Sequence, residues 1–130
     1  MKLLKTVNNQ TLAINFVMEK HGWARLEFAL DNIEWYHALS YVFEPFDDLK
    51  NWLDNIAKND LPAQVDIDEE GCISCLIANP NGDDDIGFIV QDYDTHRIFI
   101  NTIINRHLFV EKFRAEFARF FEQDFDKEHW

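Results

Sequence analysis

Glycine and proline are scarce in this 130-residue chain, at four and three residues, and serine occurs only as Ser40 and Ser74. No glycine-rich stretch is present to cradle a phosphate, which removes the common nucleotide-hydrolysing loops. Neither serine stands in a GxSxG turn, so a serine nucleophile has no support. No apolar run approaches the ~18 residues that a membrane-spanning helix needs, and Met1 to Gln10 lacks the long apolar core of a secretory leader. His21, His37, His96, His107 and His129 show no HxH, HxxxH or HExxH spacing, so zinc has no support either. The two cysteines, Cys72 and Cys75, form a lone CxxC inside an apparent strand, where positions three apart face opposite sides. Packing thiols are expected there in place of a redox or zinc pair.

Positive charge is missing over a third of the chain. Between Lys58 and Arg97 stand ten carboxylates, Asp60, Asp66, Asp68, Glu69, Glu70, Asp83, Asp84, Asp85, Asp92 and Asp94, and no lysine or arginine. The other fourteen acids face all twelve bases, so most of the net charge of −12 is regional. A regional imbalance concerns a partner more than general solubility. The pI of 4.6 opposes nucleic acid as a direct ligand, because phosphate neutralisation by Lys and Arg supplies most of that affinity. A basic protein surface is the matching partner.

What the chain does have is apolar content. Hydrophobic residues make up 47%, with twelve Phe, four Trp and three Tyr, enough for one core, and a single domain over 1–130 is expected. Leu12 to Val17 reads as a strand or a short helix. Trp23 to Leu30 alternates with Ala24, Leu26, Phe28 and Leu30 on one face, and Ile33 to Phe43 resumes that period after a turn at Asp31-Asn32. After Glu44-Pro45 the period becomes helical, with Phe46, Leu49, Trp52, Leu53, Ile56 and Ala57 on one face of a helix over about 45–58. Gly71 to Ala78, Ile86 to Gln91 and Arg97 to Ile104 follow as strands of a meander, linked by Asn79–Gly82 and Tyr93–Thr95. Val65 to Ile67 adds a short edge. Arg106 to Phe125 is helical in period, with Val110, Phe113, Phe117, Phe120 and Phe121 as its stripe. The fold class is α+β, an antiparallel sheet of about five to six strands with two main helices on one face.

Three constellations bear on function. Asp66 to Gly71 resembles the front of an EF-hand calcium loop, but the carboxylate required at position 12 would be Ile77 and no helix flanks the segment. Asp83, Asp84 and Asp85 follow Gly82 at a hairpin tip, where they suit either a solvated loop or contact with a basic surface. Trp23, Tyr93 between Asp92 and Asp94, and Trp130 are aromatic residues on polar faces, the type enriched at interface hot spots. General acid/base chemistry needs a shielded carboxyl, and clustering in polar turns argues against one. No catalytic residue, cofactor or metal is expected. His37, within an apolar strand, is expected to be a satisfied core or edge residue in place of a base.

The hairpin around Trp35 to Phe43, the Glu44-Pro45-Phe46-Asp47-Asp48-Leu49 approach to a Trp52-Leu53 helix, the Glu70-Gly71 turn, the alternating strands and the closing Phe-rich helix together give a pattern. It resembles the small acidic immunity proteins of bacterial contact-dependent growth inhibition and related polymorphic toxin systems. The resemblance runs from Trp23 to Phe125 and implies a cytoplasmic, stoichiometric inhibitor of a basic toxin domain, often a nuclease. The carboxylates between 60 and 95 would then mimic phosphates. The expected partner-binding residues are Asp66, Asp68, Glu69, Glu70, Asp83, Asp84, Asp85, Asp92, Tyr93 and Asp94, with no membrane or nucleic-acid partner and monomer or dimer left open. Two alternatives are a structural or regulatory subunit that self-associates through a sheet edge, and a metal-dependent enzyme using Asp66, Asp68 and Glu70.

Overall fold

The computed structural model describes residues 12–30 and 33–130, and the backbone of Val7 and Asn8. The turn at Asp31-Asn32 lies outside those residues, as does most of Met1 to Gln10. The chain folds as α+β, with β1 (Val7–Asn8), β2 (Ala13–Met18), β3 (Trp23–Leu30) and β4 (Ile33–Ser40) before helix α1 (Phe46–Ala57). Then come β5 (Ala63–Asp68), β6 (Ile73–Asn81), β7 (Asp85–Asp92), β8 (Ile98–Asn105) and helix α2 (Arg106–Arg119), which ends in a π-helical turn, Phe120–Asp124.

The strands divide between two sheets, in the orders β2-β3-β4 and β1-β8-β7-β6-β5. All pairs are antiparallel except β1 with β8, which is parallel. Alternation decides which residues face inward. Across the larger sheet Val65, Leu76, Val90 and Ile100 form one buried row, and across the smaller sheet Phe16, Leu26 and His37 form another. Both helices lie against these inward faces. The helix stripe Phe46, Leu49, Trp52, Leu53 and Ile56 is buried as its spacing predicts, and so are Val110, Phe113, Phe117 and Phe120. Phe113 joins the layers, with ring centroids 5.8 Å from Phe16, 6.2 Å from Phe28 and 5.8 Å from Trp52.

Several bounds move for local reasons. β6 runs through Asn79-Pro80-Asn81, so the link to β7 is only Gly82–Asp84. Proline fits there because β5 ends opposite Ala78, leaving β6 without a neighbour on that side. Val65 to Ile67 is the middle of the full strand β5. β4 stops at Ser40, whose hydroxyl accepts the Val42 N–H at 3.0 Å and bends the chain, so Tyr41, Val42 and Phe43 form an exposed corner. The Glu44 carboxylate then accepts the Phe46 N–H at 2.6 Å, and Asp47 and Asp48 occupy the first turn of α1, where the helix dipole favours negative charge. Arg106 closes the other end of α1 by donating to the Ala57 carbonyl at 2.9 Å.

Both edges of the smaller sheet are occupied by side chains. On β2 the Phe16 N–H donates to Glu116 at 2.6 Å, and Arg119 donates to the Phe16 carbonyl at 3.1 Å. On β4 the Ala38 N–H donates to Glu69 at 2.9 Å. Such plugging removes backbone groups that another strand could pair with.

Candidate partner-binding surface

Antiparallel pairing places successive turns at opposite ends of a sheet, and this divides the acidic third of the chain. Asp83, Asp84 and Asp85 lie at the β6–β7 turn, while Asp68, Glu69 and Glu70 at the β5–β6 turn share the other end with Asp92, Tyr93 and Asp94 at the β7–β8 turn. The nine residues of β6 separate the two groups by about 26 Å. Asp66 belongs to neither; it stands on the outer face of β5, opposite Cys75. The expected partner-binding residues therefore do not share one surface.

At the β5–β6 end the carboxylates have different tasks. Asp68 accepts the Glu70 N–H at 2.9 Å and so closes its own turn, in which Glu70 (φ +62°) and Gly71 (φ +128°) take left-handed backbone. Only glycine adopts such φ freely, so the strain falls on Glu70. That turn aims Glu69 and Glu70 at β4. Glu70 accepts the Ser40 hydroxyl at 2.6 Å. Glu69 accepts from the Ala38 N–H and the Ser74 hydroxyl, both at 2.9 Å, and lies 3.4 Å from Nδ1 of His37. Burial pushes the Glu69 pKa up, but the bonds from His37, Ala38 and Ser74 outweigh it and hold the carboxyl below its usual range. These two residues fasten the sheets together.

His37 is a core residue, but only half satisfied. It is fully buried against Phe28 and Trp35, and its Nε2 has no partner among the described residues. Asp92 accepts from the backbone and hydroxyl of Thr95 and from the Asp94 N–H, which lowers its pKa. Tyr93 is left projecting, 48% exposed.

Three chain segments meet at this end. The Tyr93 N–H donates to the Ile73 carbonyl at 2.9 Å, placing the β7–β8 turn beside the β5–β6 turn. On its other side Glu70 holds Ser40, which in turn holds Val42. The exposed corner Tyr41 (60%), Val42 (68%) and Phe43 (47%) therefore follows the residue that the β5–β6 turn holds on one side, while the turn carrying Tyr93 lies on its other side. Sequence reasoning missed this corner by extending β4 through it; the Glu44-Pro45 break directly after three large apolar residues was the available signal. Trp23 and Trp130 instead are half-buried, and Trp130 packs on Phe46 at 5.2 Å.

Asp66 points to Gln64, Asp68 to its own turn and Glu70 to Ser40, so the three do not converge, and the described residues contain no cluster of His, Cys, Asp or Glu suited to a metal ion. Of the two thiols expected to be buried, only Cys75 is, on the outer face of the sheet opposite Asp66; Cys72 precedes β6 and is exposed. Burial, aided by the Asp66 and Asp92 carboxylates, pushes the Cys75 thiol up to about 12. No helix among the described residues is long and apolar enough to cross a membrane.

Fold and surface thus define an α+β protein with an apolar corner linked through Ser40 to an acidic turn. No family model, no curated protein and no solved structure matches the chain.

Proposed function

We propose that this protein is a binding module that neutralises a basic toxin domain, of nuclease type, by forming a one-to-one complex in the cytoplasm of the producing cell. The observation that carries this reading is that the acidic β5–β6 turn is bonded on one side to Ser40, next to the exposed Tyr41, Val42 and Phe43, and on the other to the β7–β8 turn, which carries the exposed Tyr93 between Asp92 and Asp94. Large apolar and aromatic side chains supply affinity where they are desolvated, and surrounding charge sets orientation and association rate. Acids of both turns would face cations that the toxin uses to hold phosphate. Asp83, Asp84 and Asp85, which form no ion pair among the described residues, would act from the far end through the long-range field.

Self-association through a sheet edge has less support, because Glu116, Arg119 and Glu69 occupy edge groups of β2 and β4. The test is capture of partners from the producing strain at low salt, followed by assay of the recovered pair. Recovery of a basic C-terminal domain of a secreted protein, released as salt rises and inactive while bound, is the expected result. Val42→Lys should weaken the complex at least tenfold. A chain that recovers only itself, or a complex indifferent to Val42→Lys, would refute the assignment.

A further inference from the structure

Away from the acidic turns, α1 and α2 leave a groove of about 330 Å³ between them, within the range of small-molecule sites. Leu53 and Phe117 form its floor, both nearly fully buried, and Phe121 forms one end. Phe121 is placed by the π-helical turn, whose Phe125 N–H reaches back to the Phe120 carbonyl at 2.8 Å. Such turns occur frequently at functional positions. This one sets Phe121 stacked on Phe117, with centroids 5.2 Å apart, and edge-on to Phe46 at 4.9 Å.

The rim is cationic, which is unusual in a chain of net charge −12. Lys50 holds its ammonium 5.5 Å from the Phe117 ring and 5.8 Å from the Phe121 ring, and pairs with no carboxylate among the described residues. Arg114 donates to Asp54 at 2.7 Å, so the Asp54 charge is neutralised within the groove. One positive charge remains above an apolar floor.

We propose that this groove binds a small amphipathic anion, with a carboxylate or sulfonate head at Lys50 and an aliphatic or aromatic body on Leu53, Phe117 and Phe121. The ammonium, held over two rings, sets a positive charge beside the apolar floor, where an anionic head can pair with it while the body lies on the rings. The site is separate from the acidic turns and independent of any toxin.

The test titrates 8-anilinonaphthalene-1-sulfonate, an aromatic anion, into the intact chain, then displaces it with decanoate below its micellar concentration. Two exposed positions probe the groove without opening the core. Ala118→Trp fills it and should abolish binding; Lys50→Glu reverses the rim charge and should weaken binding at least fivefold, while Lys50→Arg retains it. Thermal unfolding of each variant reports whether the fold is intact. Failure of decanoate to displace the dye, or equal binding by folded Lys50→Glu and the parent chain, would overturn the proposal.

Discussion

Glu69 offers the most informative single perturbation, because one side chain ties β4 to the β5–β6 turn. Its carboxylate receives the Ala38 N–H and the Ser74 hydroxyl at 2.9 Å and faces His37 Nδ1 at 3.4 Å. Hydrogen bonds to a charged group are worth about 1.5–3 kcal/mol each, and an abandoned buried donor costs about 1–3 kcal/mol. Glu69 is partly exposed, and the His37 contact is long, which places both at the low end. Glu69→Ala should therefore destabilise by about 3–4 kcal/mol. Glu69→Gln keeps one acceptor oxygen for Ala38 and lets the Ser74 hydroxyl reverse its role, so about 1–2 kcal/mol is expected.

The pH dependence separates charge from shape. The folded pKa of Glu69 lies below the ordinary 4.5, so the folded state binds this proton less readily than the unfolded chain. Its contribution is complete above about pH 4.5 and is lost as pH falls through the folded pKa. Urea denaturation of the parent and Glu69→Gln chains at pH 7 and at successively lower pH should show a gap that narrows below pH 4.5. A gap constant across that window, or an alanine variant within about 0.5 kcal/mol of the parent, would refute the assignment of a charged junction to Glu69.

Phe113→Ala empties a site bounded by Phe16, Phe28, Trp52 and Phe109 and should cost about 3–5 kcal/mol in chemical denaturation. A thiol reagent at pH 8 should modify Cys72 at once and Cys75 only on unfolding, giving one labelled site by mass spectrometry before denaturant and two after. Replacing Asp83, Asp84 and Asp85 by lysine should leave the unfolding midpoint nearly unchanged and slow association with the basic partner, most at low salt. An unaltered rate at low salt would remove that tip from the interaction.

Much of the architecture is legible in residue spacing, because the inward faces obey simple periods. The stripe Phe46, Leu49, Trp52, Leu53 and Ile56 and the alternation of Trp23 to Leu30 each follow from one period along one segment. What spacing does not carry is which edges meet. The division into two sheets and the parallel pairing of Val7-Asn8 with β8 depend on contacts between residues distant along the chain. The same limit applies to the candidate surface. Asp83 and Glu70 belong to one acidic run but to opposite ends of β6, whereas Tyr41 and Tyr93, far apart in sequence, flank one turn. Glu69 reads as a surface acid beside Asp68 and Glu70, and only the distant His37, Ala38 and Ser74 explain why it turns inward.

The clasp of Glu116 and Arg119 on the backbone of Phe16 spans one hundred residues of sequence. During synthesis the strands β2, β3 and β4 emerge well before α2, and the free side of β2 stays open until α2 has left the ribosome. Translation thus sets an order of risk: a nascent chain halted before residue 116 carries an unpaired strand edge, and released fragments of that length should scatter light as they associate, whereas the finished chain should not. A helix made later guards strands made before it.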